Sequence, residues 1–486
     1  MIYSVLNFGY ESQKITVEVD LRRGIPSFDI VGLADSYTKQ VRELVQSSIL
    51  NSSLSYPQER ILVALSPCDL KKDDSFAFPM ALAILEKNEN LDFGNIFVFG
   101  RLELSGKISI INGIINGILT QKEQYKKFVV PFQMKEEIQK IKNQIQDCEF
   151  IFASSLSDAF FQLKNNKFEK ITDEKEEEKK VEINGISFPS LSEDDNTKIR
   201  NSNLWKALIY SVGGKLNLLT YGKPGNGKTT LCQRANLLQP LLLPTEKIVN
   251  DRLNSLSGFK SSAKRPYRMP HQTASIEGMC GGGVNCRCGE ISLSHNGILF
   301  LDEMAEFRTS VIQMLRVPLE SKQITLSRAG RTTVYPANFQ LIGAMNPCPC
   351  GNYGEKERIC LCSAKSIEQY WKKISGPLLD RIQIVVKKID DENDEFITIE
   401  ESRKLVANAY SMQLKRRKFN NELTLEDFSP NDEFDSYLNE LTSRGKLNVL
   451  KIARTIADTK LQNEISLDDI KESYSLSIQD RMQIII

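Results

Sequence analysis

The chain has 486 residues, of which 41% are apolar, more than one hydrophobic core organises and enough to fill two or three domains. Sixty-three Lys and Arg against 62 Asp and Glu leave a formal charge of +1, so no overall field marks the chain for nucleic acid and any basic surface has to be local. No stretch approaches the ~18 consecutive apolar residues of a membrane span, and MIYSVLNFGYESQKITVEVDLRRG lacks a basic segment leading into an apolar run, so the expectation is a cytoplasmic protein, without membrane, whose cysteines are not disulfide-bonded.

In chain order, KITVEVDL, RILVALS and NIFVFGRLEL read as strands and SYTKQVRELVQSSI and PMALAILEKN as helices, an α+β domain over residues 1–163. KNNKFEKITDEKEEEKKVE is dense in charge and nearly free of apolar residues, which predicts a solvated linker over 164–185. Apolar strands then alternate with helices, as in a parallel-sheet α/β domain, over 186–395. ITIEESRKLVANAYSMQLKRR, LNVLKIARTIADTK and LDDIKESYSL predict a helical domain over 396–486. Cys68, Cys148 and Cys232 stand alone and read as small buried hydrophobes.

LNLLTYGKPGNGKTT is an apolar strand followed by a complete P-loop, Gly222, Lys223, Pro224, Gly225, Asn226, Gly227, Lys228 and Thr229, with Thr230 counted among the nucleotide-binding residues. Its backbone N–H groups would curl around phosphate oxygens, Lys228 would reach the β and γ phosphates of ATP, and the Thr229 hydroxyl would ligate Mg²⁺. GILFLDE ends an apolar strand in Asp302, facing the metal, and Glu303, placed to polarise the attacking water. FQLIGAMN ends another in Asn346, within reach of the γ-phosphate or its water. In SGPLLDR, Arg381 is an arginine on a turn, either a surface charge or a finger acting on a neighbouring subunit's nucleotide.

Cys348-x-Cys350 and Cys360-x-Cys362 offer two pairs of soft ligands, a tetrahedral zinc site of structural type or else free thiols, with Gly351 and Gly354 turning the backbone between them. Cys280, Cys286 and Cys288, with His271 or His295, could make a second metal site; a glycine-rich loop with incidental thiols is the plainer reading. SSAKRPYRMP gathers Lys264, Arg265 and Arg268 around Tyr267, and KQITLSRAGRTTVYP reads as a hairpin with Arg328, Gly330 and Arg331 at its tip. Cationic tips of this kind would track DNA phosphates while the aromatic stacks on bases; a solvated face is the alternative. LKRRK, 414–418, reads as solvated helix surface, with DNA contact second.

P-loop, DE strand, asparagine-ended strand, LLDR and helical lid, in that order, resemble an AAA+ ATPase. GEISLSHNGILFLDEMAEF, LIGAMNPCPCGNYG and SGPLLDRI resemble the ComM/YifB family, its magnesium-chelatase-like branch, and the likeness runs from GLADSYTKQVRELVQSSI to KIARTIAD. It implies a ring, usually a hexamer, with nucleotide between subunits, Asn346 at the sensor-1 position, Arg381 as the arginine finger, and Arg444 in LTSRG as the sensor-2 arginine, with Arg454 second. Members often carry paired histidines where this chain has His271 and Gln272, and a proline-rich wording around NCRC. The N-terminal domain resembles the Lon-type protease fold (ribosomal S5-like), through FGRLELSGKISIINGIINGI and KKDDSFAFPMALAI. Ile115 stands where Lon has its lysine, and Ser75 falls near the nucleophile, so the implied role is a scaffold without peptidase activity. The family implies a DNA motor that migrates branched DNA in recombination and natural transformation. A chelatase-like or protein-remodelling ATPase, or a nonenzymatic scaffold, are the other classes.

Overall fold

Strict alternation of side chains builds the first sheet. The computed structural model describes residues 1–67, 74–171, 180–192, 195, 198–283, 285–328, 331–354, 358–374, 376–389, 395–429 and 432–479. In the N-terminal part these include β1 (Ile2–Phe8), β2 (Glu11–Arg22), β3 (Ser27–Val31), α1 (Asp35–Asn51), β4 (Arg60–Ser66), α2 (Ala77–Asn88) and β5 (Ile96–Val98). They continue with α3 (Ile114–Gln121), β6 (Lys127–Pro131), β7 (Glu149–Ala153), α4 (Leu156–Lys164) and β8 (Glu169–Lys170). The strands form one mixed sheet in the order β8-β7-β6-β5-β1-β2-β4-β3. Ile96 and Val98 of β5 pack with α1, α2 and α4, while Phe97 between them turns to the other face, against α3. Ile115 belongs to that second cluster, and Cys148 is buried in it as expected; Cys68 lies outside the described residues.

β8 pairs antiparallel with β7 inside the stretch expected as linker. Edge pairing uses main-chain groups alone, so the exposed side chains of Glu169 and Lys170 leave no apolar trace of it. At the other end, Lys180–Ile183 and Ile186–Pro189 form a hairpin, and Ile186 and Phe188 enter the core of the following unit.

That unit contains α5 (Asn203–Gly214), β9 (Leu218–Tyr221), α6 (Lys228–Arg234), α7 (Pro244–Ser257), β10 (Tyr267–Arg268), β11 (Ile298–Leu301) and α8 (Arg316–Ser321). It closes with β12 (Gln323–Arg328), β13 (Arg331–Pro336), β14 (Gln340–Met345), α9 (Ala364–Lys372) and β15 (Ile384–Lys387). Five strands make a parallel sheet ordered β10-β11-β14-β9-β15. Both faces are covered, which is why its strands read as unbroken apolar runs: Leu218, Phe300 and Ile342 face one cluster and Leu219, Leu301 and Leu341 the other. Cys232 is buried here, as expected. The lid helices α10 (Ile399–Arg416), α11 (Ser443–Thr459) and α12 (Leu467–Tyr474) follow. Val406, Tyr410 and Ile452 share a cluster with Leu218, and Trp205 Nε1 of α5 donates to Ser402 Oγ at 3.1 Å, so α10 and α11 close one side of the parallel-sheet core.

The N-terminal domain docks on this core through α3 and the β1–β2 turn. Ser255 Oγ of α7 accepts the N–H groups of Ile115 (3.1 Å) and Asn116 (3.4 Å) at the start of α3. Arg252 lies 4.1 Å over the Tyr10 ring and donates to Asn116 Oδ1 at 2.7 Å. The Tyr10 N–H in turn donates to Thr333 Oγ1 of β13 at 3.0 Å.

Candidate functional site

Register brings the chemistry together. Tyr221 pairs with Met345 and Leu301 with Gly343, so the P-loop, Asp302–Glu303 and Asn346 all leave the sheet at one edge. Gly225 and Gly227 hold φ of +78° and +79°, left-handed values that let successive amides of the loop point inward. Lys228 is buried and donates Nζ to the carbonyls of Gly222 and Lys223, 2.7 Å each. Thr229 Oγ1 donates to Asp302 Oδ1 at 3.1 Å, which also accepts the Glu303 N–H at 3.0 Å. A hydroxyl and a carboxylate side by side suit a hard, oxygen-liganded ion. Glu303 is exposed and holds a left-handed backbone (φ +49°), a strained conformation for a residue with a side chain.

Arg381 sits at the opposite edge. Its carbonyl accepts from Asn217 Nδ2, just before β9, whereas Gly222 follows β9; five residues of strand separate the two by about 16 Å. Arg381 Nη2 donates to Glu320 Oε2, and Arg444 Nη2 lies 3.5 Å from Glu320 Oε1, so one carboxylate of α8 gathers both arginines. The Arg381 hydrogen bond, then the two positive charges, hold Glu320 below the usual carboxylate range. Glu320 stands in VPLESK and no motif marks it. Arg454, the second sensor-2 candidate, is buried and bound to Asp458 and to the carbonyls of Gln462 and Asn463, a structural position.

The four cysteines converge: the Sγ atoms of Cys348, Cys350, Cys360 and Cys362 all lie within 4.8 Å of one another, with Cys348–Cys350 at 3.3 Å, Cys348–Cys360 at 3.7 Å and Cys350–Cys360 at 3.6 Å. A tetrahedral ion with bonds of ~2.3 Å puts thiolates about 3.8 Å apart, so the set fits one zinc ion. A four-iron cluster, which takes one cysteine per iron, would hold them further apart. The Asn352 N–H, then the Cys348 thiol, hold Cys350 down to about 6.

The second metal site, the less favoured reading of Cys280, Cys286 and Cys288, does not form, and the expectation of a projecting basic insertion is corrected. Cys280 Sγ meets Met314 Sδ and Cys288 Sγ meets Ser257 Oγ, 3.0 Å each, so they do not converge on an ion with Cys286; among the described residues only the 348–362 set gathers. The basic insertion does not project. Tyr267 and Arg268 are the edge strand β10, the Tyr267 hydroxyl donates to Cys232 O at 2.8 Å, and Arg268 forks onto Glu290 at 2.6 and 2.7 Å. Arg265, its side chain 2% exposed, donates to Glu246 at 2.6 Å and to Asn296 O at 2.8 Å. Burial alone would raise Glu246, but Arg265 and Lys215 outweigh it and hold it near about 2. The partners lie 19 and 22 residues away, so a charge run cannot reveal that it is paired. Lys264 stays exposed, as do Arg328 and Arg331, which face each other at the last register pair of β12 and β13; Gly330 lies outside the described residues. In LKRRK, Arg416 binds the buried Asp458 and Lys418 binds Asp427.

His271 Nδ1 meets only its neighbour Thr273. His295 is buried, its Nδ1 accepts the Asn338 N–H at 2.9 Å, and burial pushes its pKa down to about 4. The unfolded imidazole takes its proton near about 6.5, so protons favour the unfolded chain between roughly 6.5 and 4 and stability falls as pH drops through that window. Urea denaturation should show a loss of about 2 kcal/mol from His295 between about pH 7 and about pH 5, flattened in His295→Gln; equal slopes in the two proteins would mean the ring is not held neutral.

Residues 197–396 match the family described as magnesium chelatase, subunit ChlI, and residues 17–134 match that described as subunit ChlI of Mg-chelatase. The chain is 32% identical to the competence protein ComM of Haemophilus influenzae over 509 aligned positions, 99% of this chain and 98% of that one. It is 31% identical to the protein YifB of Escherichia coli over 100% of this chain and 98% of that one. A shorter likeness, 25% over 38% of this chain, reaches a probable DNA helicase MCM9 of Arabidopsis thaliana and covers 24% of that protein. No helix among the described residues is long and apolar enough to cross a membrane. A likeness that runs the length of both chains, over a parallel-sheet P-loop core, is family membership: the chain belongs to the ComM/YifB family, the magnesium-chelatase-like branch of the AAA+ proteins.

Proposed function

We propose that the protein is an ATP-hydrolysing DNA motor that works as a ring, most simply a hexamer, on single-stranded or branched DNA in recombination and DNA uptake. One observation carries the reading: the P-loop, Asp302, Glu303 and Asn346 share one sheet edge, while Arg381 and Arg444 share a carboxylate at the other. A site split in this way is completed by a second copy. The loop amides and Lys228 bind the phosphates, Thr229 and Asp302 hold Mg²⁺, Glu303 takes a proton from the attacking water, and Asn346 orients that water or the γ-phosphate. Arg381 and Arg444, released from Glu320, meet the charge that develops on the neighbour's transferring phosphoryl group. The four cysteines hold zinc in a closed structural site. The N-terminal domain, Lon-like in sequence, is read as a scaffold, since the buried aliphatic Ile115 cannot accept a nucleophile's proton.

DNA as the substrate rests on the hairpin and on the family likeness, including the names of its competence and helicase relatives. Arg328 and Arg331 are opposed like charges, an unfavourable cross-strand pair that an anion between or across them relieves. Steady-state ATPase with and without a forked or four-way junction tests this. Several-fold stimulation is expected, falling below twofold in Arg328→Ala/Arg331→Ala. Turnover that ignores every DNA structure would sink the reading and bring forward protein remodelling or a chelatase-like role. The internal pairing of Arg265 and Arg268, which removes two cations from the expected DNA surface, already favours that second reading.

A further inference from the structure

The cysteine centre does more than close its own loop, because the segments that leave it stand against the first part of the phosphate-binding turn. Cys348 follows Asn346 by two residues, and the Gly351 N–H donates back to Cys348 O at 3.0 Å, folding the loop over the P-loop. A Cβ added at Gly351 would lie 2.5 and 2.7 Å from Cγ and Cδ of Pro224, the third residue of the P-loop pattern, so the loop main chain and the proline ring touch with no room between them. At the start of the same turn, Tyr221 packs edge-on against Trp371 of α9, ring centroids 5.3 Å apart. Trp371 Nε1 donates to Pro347 O at 3.0 Å, between Asn346 and Cys348. α9 itself begins two residues after Cys362, with Ser363 as its cap. The four thiolates therefore fix both chain segments that confine Tyr221 and Pro224.

Resting on the zinc reading above, we propose that zinc at the cysteine centre and nucleotide at the P-loop are thermodynamically coupled. Zinc holds the 348–351 turn against Pro224 and keeps the loop in its phosphate-binding shape. Nucleotide, by linkage, tightens the hold on zinc by the same factor. The class of effector is a divalent, thiophilic metal ion, and what it regulates is the affinity of the ATP site.

Two glycines make the test specific. Gly351 and Gly354 both have left-handed backbones, φ +81° and +78°, so alanine strains each alike. At Gly354, however, the new methyl meets, among the described residues, only the flexible end of Lys387, 3.3 Å away. The full chain is purified, its zinc content measured, and a fluorescent ATP analogue titrated against the metal-loaded protein, against protein stripped with a zinc-selective chelator, and against the two variants. We expect one zinc per chain, analogue binding about tenfold weaker after stripping, and a similar factor in the rate at which zinc passes to a chromogenic chelator with and without ATP. Gly351→Ala should keep its zinc and bind the analogue about tenfold more weakly, with Gly354→Ala within about twofold of the parent. Should stripping unfold the chain, the comparison of the two metal-loaded variants decides alone. Bound zinc with equal affinities in Gly351→Ala and Gly354→Ala, or in a folded stripped protein and its loaded form, overturns the coupling and leaves the zinc reading standing. A chain that carries no zinc and takes none up overturns both.

Discussion

Glu303→Gln should lower ATP turnover by roughly 10²–10⁴-fold while leaving nucleotide binding within about threefold of the parent protein. The amide matches the carboxylate in size but cannot accept a proton from water, and the groups proposed to bind phosphate and metal, Lys228, Thr229 and Asp302, are untouched. Glu303 stands at a strained turn directly after Asp302, its N–H bound to that carboxylate, and Gln can occupy the same turn. Phosphate release and binding of a fluorescent ATP analogue read the two effects separately. Turnover within tenfold of the parent would remove Glu303 from the water and direct attention to the exposed Glu306 one turn on.

Arg381→Ala should cost about 10³-fold or more in turnover, the scale of an arginine that meets charge on a transferring phosphoryl group. The proposal makes the effect intermolecular, because Arg381 lies near the start of β9 and the P-loop at its end. Mixing Arg381→Ala with Lys228→Ala chains, each inactive alone, should restore turnover, because one supplies intact P-loops and the other intact arginines. No recovery in assembled mixtures would place Arg381 in its own subunit's site. Among the described residues Arg381 Nε has no acceptor although it is buried, so the guanidinium keeps one donor in reserve. Its present partner Glu320 is 60% exposed, a contact that water weakens and that a phosphate can displace.

What could be read from the sequence was whatever is encoded locally. The P-loop stands in consecutive residues, and the strands ending in Asp302 and Asn346 are apolar because both faces of their sheet are covered, so pattern and burial coincide. The cysteine pairs were legible for a related reason, since C-x-C at both ends of a short loop leaves the thiols few other places to go. The basic insertion misled because charge density cannot distinguish a solvated cation from Arg265 paired with a glutamate on helix α7. Glu320 was invisible because its role exists only where α8, the turn before β15 and the start of α11 come together. The same is true of Pro224 against Gly351, two residues 127 positions apart by number (351 less 224) whose contact has no local signature.

Tyr10, bonded to Thr333 and covered by Arg252, ties the middle of the β12–β13 hairpin to the far sheet, and Arg331 near its tip leans on Phe8 at the end of β1, 5.5 Å from the ring centroid. The eight-stranded domain is thereby geared to the hairpin: whatever swings the hairpin swings a mass several times its size. A swing of the hairpin has either to carry that domain with it or to break the Tyr10–Thr333 and Arg331–Phe8 contacts.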